Sequence, residues 1–168
     1  SHAEQPARIM TLFERELAQW RPDLVLVAGD VNSTIACALV ASKLGTAVGH
    51  IEAGLRSRDW AMPEEINRVL TDHASDLLLT PSRDGDANLA AEGIAPWRIH
   101  CVGNCMIDSL RAHEARAVAL APWQAFGLEP GRYAVATLHR PSNVDDPAQL
   151  ARLMAGLAEV AAQLPVLF

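Results

Sequence analysis

Short, largely apolar runs separated by helix-length segments constrain the fold of this chain more than any other feature. Leu24–Ala28, Ala47–Ile51 and Leu77–Thr80 are four or five residues each, too short for buried helices and of ordinary strand length. The first shows no polar alternation, as expected of a strand covered on both faces. Strands alternating with helical patterns build βαβ units, so the spacing predicts an α/β fold with a Rossmann-like parallel sheet.

The intervening segments carry helix signals. Ser1 and Glu4 have capping-box spacing, Ile9, Leu12, Phe13 and Leu17 recur at helical period, and Pro22 stops that helix. Asn32 or Ser33 is expected to cap a helix running through Leu44, with Gly45 in the left-handed position beyond it. Pro63 suits a first helical position, with Ile66, Val69, Leu70 and His73 or Ala74 as the expected inner face. A helix near 84–92, a strand at 99–102 and a long polar helix from Met106 toward Ala119 follow. Pro122, Gly127, Pro130 and Gly131 then mark the expected boundary between a domain at 1–120 and a second beginning at 121. Beyond it come a strand at Tyr133–Leu138, a helix at 147–164 and an apolar Pro165–Phe168 that reads as the start of another strand.

Half of the 168 residues are hydrophobic and a fifth are charged, the profile of a globular protein. A net charge of −6 gives no basic footprint for nucleic acid. No apolar stretch is long enough to span a bilayer. Cys37, Cys101 and Cys105 are odd in number and lie in or beside apolar stretches, which predicts reduced, buried thiols in a cytoplasmic protein. Cys101 and Cys105 are four apart, but no further Cys or His completes a metal-ligand set, so no metal is expected.

Carboxylates stand where the predicted strands end. Asp30 follows Leu24–Gly29, Glu52 closes Ala47–Ile51, and Glu64 opens the next helix. In an open parallel sheet that edge lines the ligand crevice. Each acid also has a structural reading: Asp30 as a helix cap, Glu52 paired with Arg56 or Arg58, Glu64 paired with Arg68 four residues on. Gathered at one edge, they are equipped for proton transfer, because crowded carboxylates separate one another's proton affinities. Asp72 and His73 are consecutive on a helix and point apart, so no dyad is expected between them. A second constellation, Thr137–Asn143, places His139 and Arg140 at the end of a predicted strand, equipment for holding phosphate. A lone His there is more often a polar end-cap. No Walker loop, GxGxxG, GxSxG or HExxH is present.

Five ordered segments resemble the non-hydrolysing UDP-N-acetylglucosamine 2-epimerases. They are Gly29–Thr34, His50–Arg56, Met62–Arg68, Gly103-Asn104 with Ile107-Asp108, and Leu138–Asp145. The resemblance implies part of a two-domain glycosyltransferase-B architecture that interconverts UDP-GlcNAc and UDP-ManNAc without a redox cofactor. It further implies removal of the C2 proton, anti-elimination of UDP and re-addition. By that resemblance Asp30, Glu52 and Glu64 are the acid/base carboxylates and His139 acts near the leaving diphosphate. Arg68, Arg140 and Asn104 are implied in substrate binding. The family's Gly-Thr-Arg-Pro-Glu-type loop and its later Ser-Gly-Gly segment are not matched in these 168 residues. The expectation is thus a fragment, inactive alone, of a cytoplasmic homodimeric enzyme of polysaccharide biosynthesis. Two other readings are a hydrolysing epimerase releasing ManNAc and UDP, and a non-catalytic remnant of the fold.

Overall fold

A computed structural model describes Ser1 and residues 3–168. It divides into two compact units, Ser1–Ser109 and Leu110–Phe168. The first unit begins with α1 (Glu4–Trp20), whose opening amide is capped by the Ser1 hydroxyl at 3.0 Å. Arg21, left-handed at φ 45°, closes α1 ahead of Pro22. There follow β1 (Leu24–Ala28), α2 (Asn32–Lys43), β2 (Ala47–Ile51), α3 (Pro63–Ala74), β3 (Leu77–Thr80), α4 (Arg83–Ala91) and β4 (Ile99–Cys101). The four strands form one parallel sheet in the order β1-β2-β3-β4.

Packing explains the elements. Val25 and Val27 of β1 and Val48 of β2 share one sheet face and meet Leu17 of α1 with Ala38, Val40 and Ala41 of α2. Small residues along α2 let it lie close on that face. A second cluster joins Ala53, Leu78, Leu89 and Ile94. Leu24 and Leu26, pointing to the opposite face, are exposed, so among the described residues β1 is covered on one side only. The expectation of two covered faces fails there.

Other local expectations shift. Val31, not Asn32 or Ser33, occupies the cap position of α2, and no side chain caps that end. Gly45 takes the left-handed conformation expected of it, at φ +73°. On α3 the inner face is polar: Glu65, Thr71 and Asp72 are buried, whereas Ile66 and Leu70 are exposed. Cys101 and Cys105 are exposed rather than buried, and Cys37 is half-buried.

The division between units falls inside α5 (Cys105–Leu120), ahead of the Pro122–Gly131 punctuation. In the second unit β5 is only Ala134–Val135, shorter than the predicted strand, and pairs in parallel with β6 (Val166–Leu167). Between them lie a short α6 (Pro141–Val144) and α7 (Pro147–Ala161), which Asp146 caps at 2.9 Å. Leu150, Leu153 and Leu157 are half-buried on the inner stripe of α7. No helix among the described residues is long and apolar enough to cross a membrane.

Candidate functional site

The carboxyl ends of β1 and β2 are adjacent, because Ala28 pairs with Ile51. Each strand leaves the sheet through a left-handed residue, Gly29 at φ 72° and Glu52 at φ 70°. The amide of Gly29 bonds the carbonyl of Ile51 at 3.1 Å, locking the two turns together. The turns present Asp30 and Glu52 side by side. A Cβ at Gly29 would lie 3.6 Å from Glu52 Oε2, so the carboxylate of Glu52 reaches across the Gly29 backbone. A left-handed conformation at a non-glycine residue costs of order 1–3 kcal/mol and persists only where the surroundings impose it. Here Ala53, fully buried, anchors the turn through its amide to Leu79 O at 3.2 Å.

The first turns of α3 supply the counter-charges. Arg68 reaches Asp30 through Nη2 and Glu65 through Nη1, the latter at 2.9 Å. Asn67 donates to the Asp30 carbonyl at 3.0 Å and to Asn32 Oδ1 at 3.2 Å. Glu64 is half-buried and lines a cavity of about 290 Å³ with Val31, Asn32, Ser33 and Asn67. Arg68 does not pair with Glu64, and Glu52 pairs with neither Arg56 nor Arg58 among the described ion pairs. The alternative ion-pair readings of those two acids therefore fail.

Glu65, beside Glu64, is 2% exposed and is the more heavily bonded residue. It accepts from Ser57 N (2.9 Å), Ser57 Oγ (3.0 Å) and Arg58 N (3.0 Å), besides Arg68. Burial pushes its carboxyl up, but the two amides, the hydroxyl and the Arg68 charge outweigh that and hold it below the ordinary carboxylate value. The result is a fixed chain, Ser57–Glu65–Arg68–Asp30, that orients the cation facing Asp30.

A second network lies beneath the turns. His50 of β2 is fully buried, with Nδ1 2.6 Å from Asp72 Oδ1 and Nε2 2.8 Å from Gly29 O. Asp72 Oδ2 accepts from Gly54 N at 3.1 Å and from Arg56 Nη1 at 2.7 Å. Arg56 continues to Glu92, whose carboxyl the bond to Arg56 holds below its ordinary value. Burial works against the Arg56 charge, but the bonds and charges of Glu92 and Asp72 prevail and raise its proton affinity. His73, half exposed, faces Glu92 at 3.3 Å. Among the described residues every buried side-chain nitrogen or oxygen has a partner.

The structure thus gathers Asp30, Glu52, Glu64 and Arg68 at one end of the first unit. Asn104, at the start of α5, accepts from Met106 N at 2.9 Å and caps that helix. His139 and Arg140 belong to the second unit, where both are exposed and Arg140 takes the cap position of α6. No cluster of three His, Cys, Asp or Glu suited to a metal ion occurs among the described residues. Sequence reasoning missed Glu65 and the His50–Asp72 pair. Their signals were a histidine inside an apolar strand, and Asp72 seven residues after Glu65 on the same helical face.

The UDP-N-acetylglucosamine 2-epimerase family profile matches residues 1–168. The UDP-N-acetylglucosamine 2-epimerase of Methanococcus maripaludis is 41% identical over 164 residues, covering 95% of this chain and 44% of the relative. The UDP-2,3-diacetamido-2,3-dideoxy-D-glucuronate 2-epimerase of Pseudomonas aeruginosa is 42% identical over 165 residues, covering 95% and 45%. A crystal structure of the Methanocaldococcus jannaschii UDP-GlcNAc 2-epimerase in complex with UDP-GlcNAc and UDP superposes with a TM-score of 0.86 at 41% identity. It is matched over 96% of this chain and 45% of its own. The chain spans about half the length of the curated relatives it matches. With the parallel α/β sheet and the ordered motifs that build its carboxylate edge, the chain belongs to the UDP-N-acetylglucosamine 2-epimerase family.

Proposed function

We propose that this chain carries the acid/base edge of a non-hydrolysing UDP-GlcNAc 2-epimerase. One carboxylate of the set Asp30, Glu52 and Glu64 takes the proton from C2 of the sugar. The C1–O bond to UDP breaks and its electron pair leaves with the diphosphate, giving a 2-acetamidoglucal. In the return step UDP oxygen attacks C1 while a second carboxylate delivers a proton to the opposite face of C2. Atoms balance without an external oxidant or reductant: one proton leaves C2 and one, drawn from the second carboxylate and exchangeable with solvent, is returned, while the UDP released is the UDP that adds back. Separate groups must serve the two faces, which is why one acid is insufficient.

The observation that carries this reading is the pairing of Asp30 and Glu52 on two locked strand-end turns, with Arg68 held at Asp30 by Glu65. A fixed cation beside a carboxylate edge suits a reaction in which negative charge builds on departing UDP. Arg140 and His139 assist the diphosphate, and Asn104 contributes to substrate binding. The similarity to an enzyme crystallised with UDP-GlcNAc and UDP supports the substrate class. We further propose that turnover needs sequence equivalent to the remaining half of the relatives, that the active form is a homodimer, and that the 168 residues alone are inactive.

The test is product analysis by proton NMR, with the chain joined to the rest of its enzyme. UDP-ManNAc and UDP-GlcNAc at equilibrium, with no free ManNAc, is the expected outcome, abolished by Glu52→Gln. Free ManNAc accumulating with UDP would instead establish the hydrolysing reaction.

A further inference from the structure

We infer that the buried His50–Asp72 pair is the positioning unit that holds the Asp30 and Glu52 turns in register. The inference rests on the epimerase reading for what those turns carry, not for the geometry. Its basis is that one pair of side chains reaches both turns from below. His50 Nε2 lies 2.8 Å from the carbonyl of Gly29, the residue before Asp30. Asp72 Oδ2 lies 3.1 Å from the amide of Gly54, two residues after Glu52. The 2.6 Å contact between His50 Nδ1 and Asp72 Oδ1 joins the two grips.

The ring's partners define its state. The Gly29 carbonyl is only an acceptor, so Nε2 must carry a hydrogen. An ionised Asp72 at Nδ1 is likewise an acceptor, so that nitrogen must carry one too. A neutral imidazole has one N–H and can serve only one of them. With Asp72 ionised, as the Arg56 guanidinium and the Gly54 amide at its Oδ2 favour, the pair is imidazolium and carboxylate, both fully buried. Such a pair is costly to desolvate unless every lone pair and proton is matched. Here the matching comes from the backbone of the two turns and from Arg56, which binds Asp72 at 2.7 Å. The charged groups facing the pair are Arg56 directly and, through Arg56, Glu92 with His73 at its edge.

A hydrophobic residue at position 50 would fill the space equally well, so simple packing does not require histidine. What it cannot do is bond Gly29 O. Positioning matters here because a displacement of about 1 Å at reacting groups costs on the order of a hundredfold in rate. The pair touches backbone rather than substrate, so it acts through Asp30 and Glu52.

Two measurements test this. Long-range proton–nitrogen NMR of the unmodified, histidine-labelled protein at neutral pH should show hydrogens on both ring nitrogens of His50. Its signals are identified by their loss in His50→Gln. A ring protonated at Nδ1 alone, leaving Nε2 bare, overturns the inference whatever the enzyme's activity. In the active enzyme, His50→Leu should lower kcat about a hundredfold with KM for UDP-GlcNAc little changed. His50→Gln, which restores an N–H donor, should recover part of that loss. Equal losses in both variants, or a loss confined to KM, would refute positioning. An unmodified enzyme that does not epimerise sinks the epimerase reading, and the ring spectrum then decides the positioning one.

Discussion

Replacing Gly54 by alanine should be among the most damaging single-methyl changes in this chain. Gly54 adopts φ +79°, and a Cβ built there lies 2.5 Å from Gly85 O, 2.8 Å from Gly85 C and 2.9 Å from Gly85 Cα. The left-handed conformation costs an L-residue roughly 1–2 kcal/mol. The collision is with helix backbone, so α4 must move, which adds roughly 1–3 kcal/mol of overpacking strain. The total of about 2–5 kcal/mol is a large part of the roughly 5–15 kcal/mol that stabilises a typical domain. Gly93 is the control, since at φ +84° no atom of the described residues lies within 4 Å of its Cβ position. Gly93→Ala should therefore show only the dihedral cost of about 1–2 kcal/mol. The assay is urea unfolding followed by tryptophan fluorescence in a Trp123→Phe background, leaving Trp20, Trp60 and Trp97 of the first unit to report. With a urea slope of about 2 kcal/mol/M, the midpoint should fall by roughly 1–2.5 M for Gly54→Ala and roughly 0.5–1 M for Gly93→Ala. Equal shifts in the two variants would refute the close approach of the Glu52 turn to α4.

Three other outcomes follow from the same contacts. Glu65 has a folded proton affinity below its unfolded one, so its stabilisation is present above the ordinary value of 4.5 and is lost as pH falls below it. Glu65→Gln should cost about 2–4 kcal/mol at neutral pH and flatten the acid limb of a stability-against-pH curve. Arg68→Lys should not restore what Arg68→Ala removes, because one ammonium cannot span Asp30 and Glu65 as two guanidinium nitrogens do; kinetics of both variants in the active enzyme would show this, and full activity in the lysine variant would contradict it. In native thiol labelling, Cys101 and Cys105 should react fast and Cys37 slowly, since burial raises the Cys37 thiol's proton affinity; rapid modification of all three would contradict the packing around α2.

The sheet was readable because its strands are short apolar runs bounded by turn residues. Leu24–Ala28, Ala47–Ile51 and Leu77–Thr80 are observed as β1, β2 and β3 with those bounds. The strand-end acids were equally legible, since a carboxylate directly after a buried strand has few places to point except the sheet edge. What escaped depends on helix rotation and on long-range partners. Glu64 and Glu65 are neighbours in one helical turn, about 100° apart around the axis. Which of them faces the protein is decided by how α3 is rolled against β2, and composition carries no information about that roll. The expected apolar inner face of Ile66 and Leu70 failed for the same reason: the buried side is held by Glu65, Asp72 and their matched donors. His50 and Asp72 are 22 residues apart, so only the fold makes them a pair. The match at similar identity to relatives named for two different UDP-sugars shows a further limit. Both share this half, so sugar specificity is not written in its overall similarity.

Turnover in heavy water tests whether the Asp30–Glu52–Glu64 edge exchanges the C2 proton of a UDP-sugar, as proposed. The active enzyme incubated with UDP-GlcNAc in D2O should yield UDP-ManNAc carrying deuterium at C2, and Glu52→Gln should abolish both the epimer and the label. UDP-ManNAc formed with its original C2 hydrogen would contradict the account.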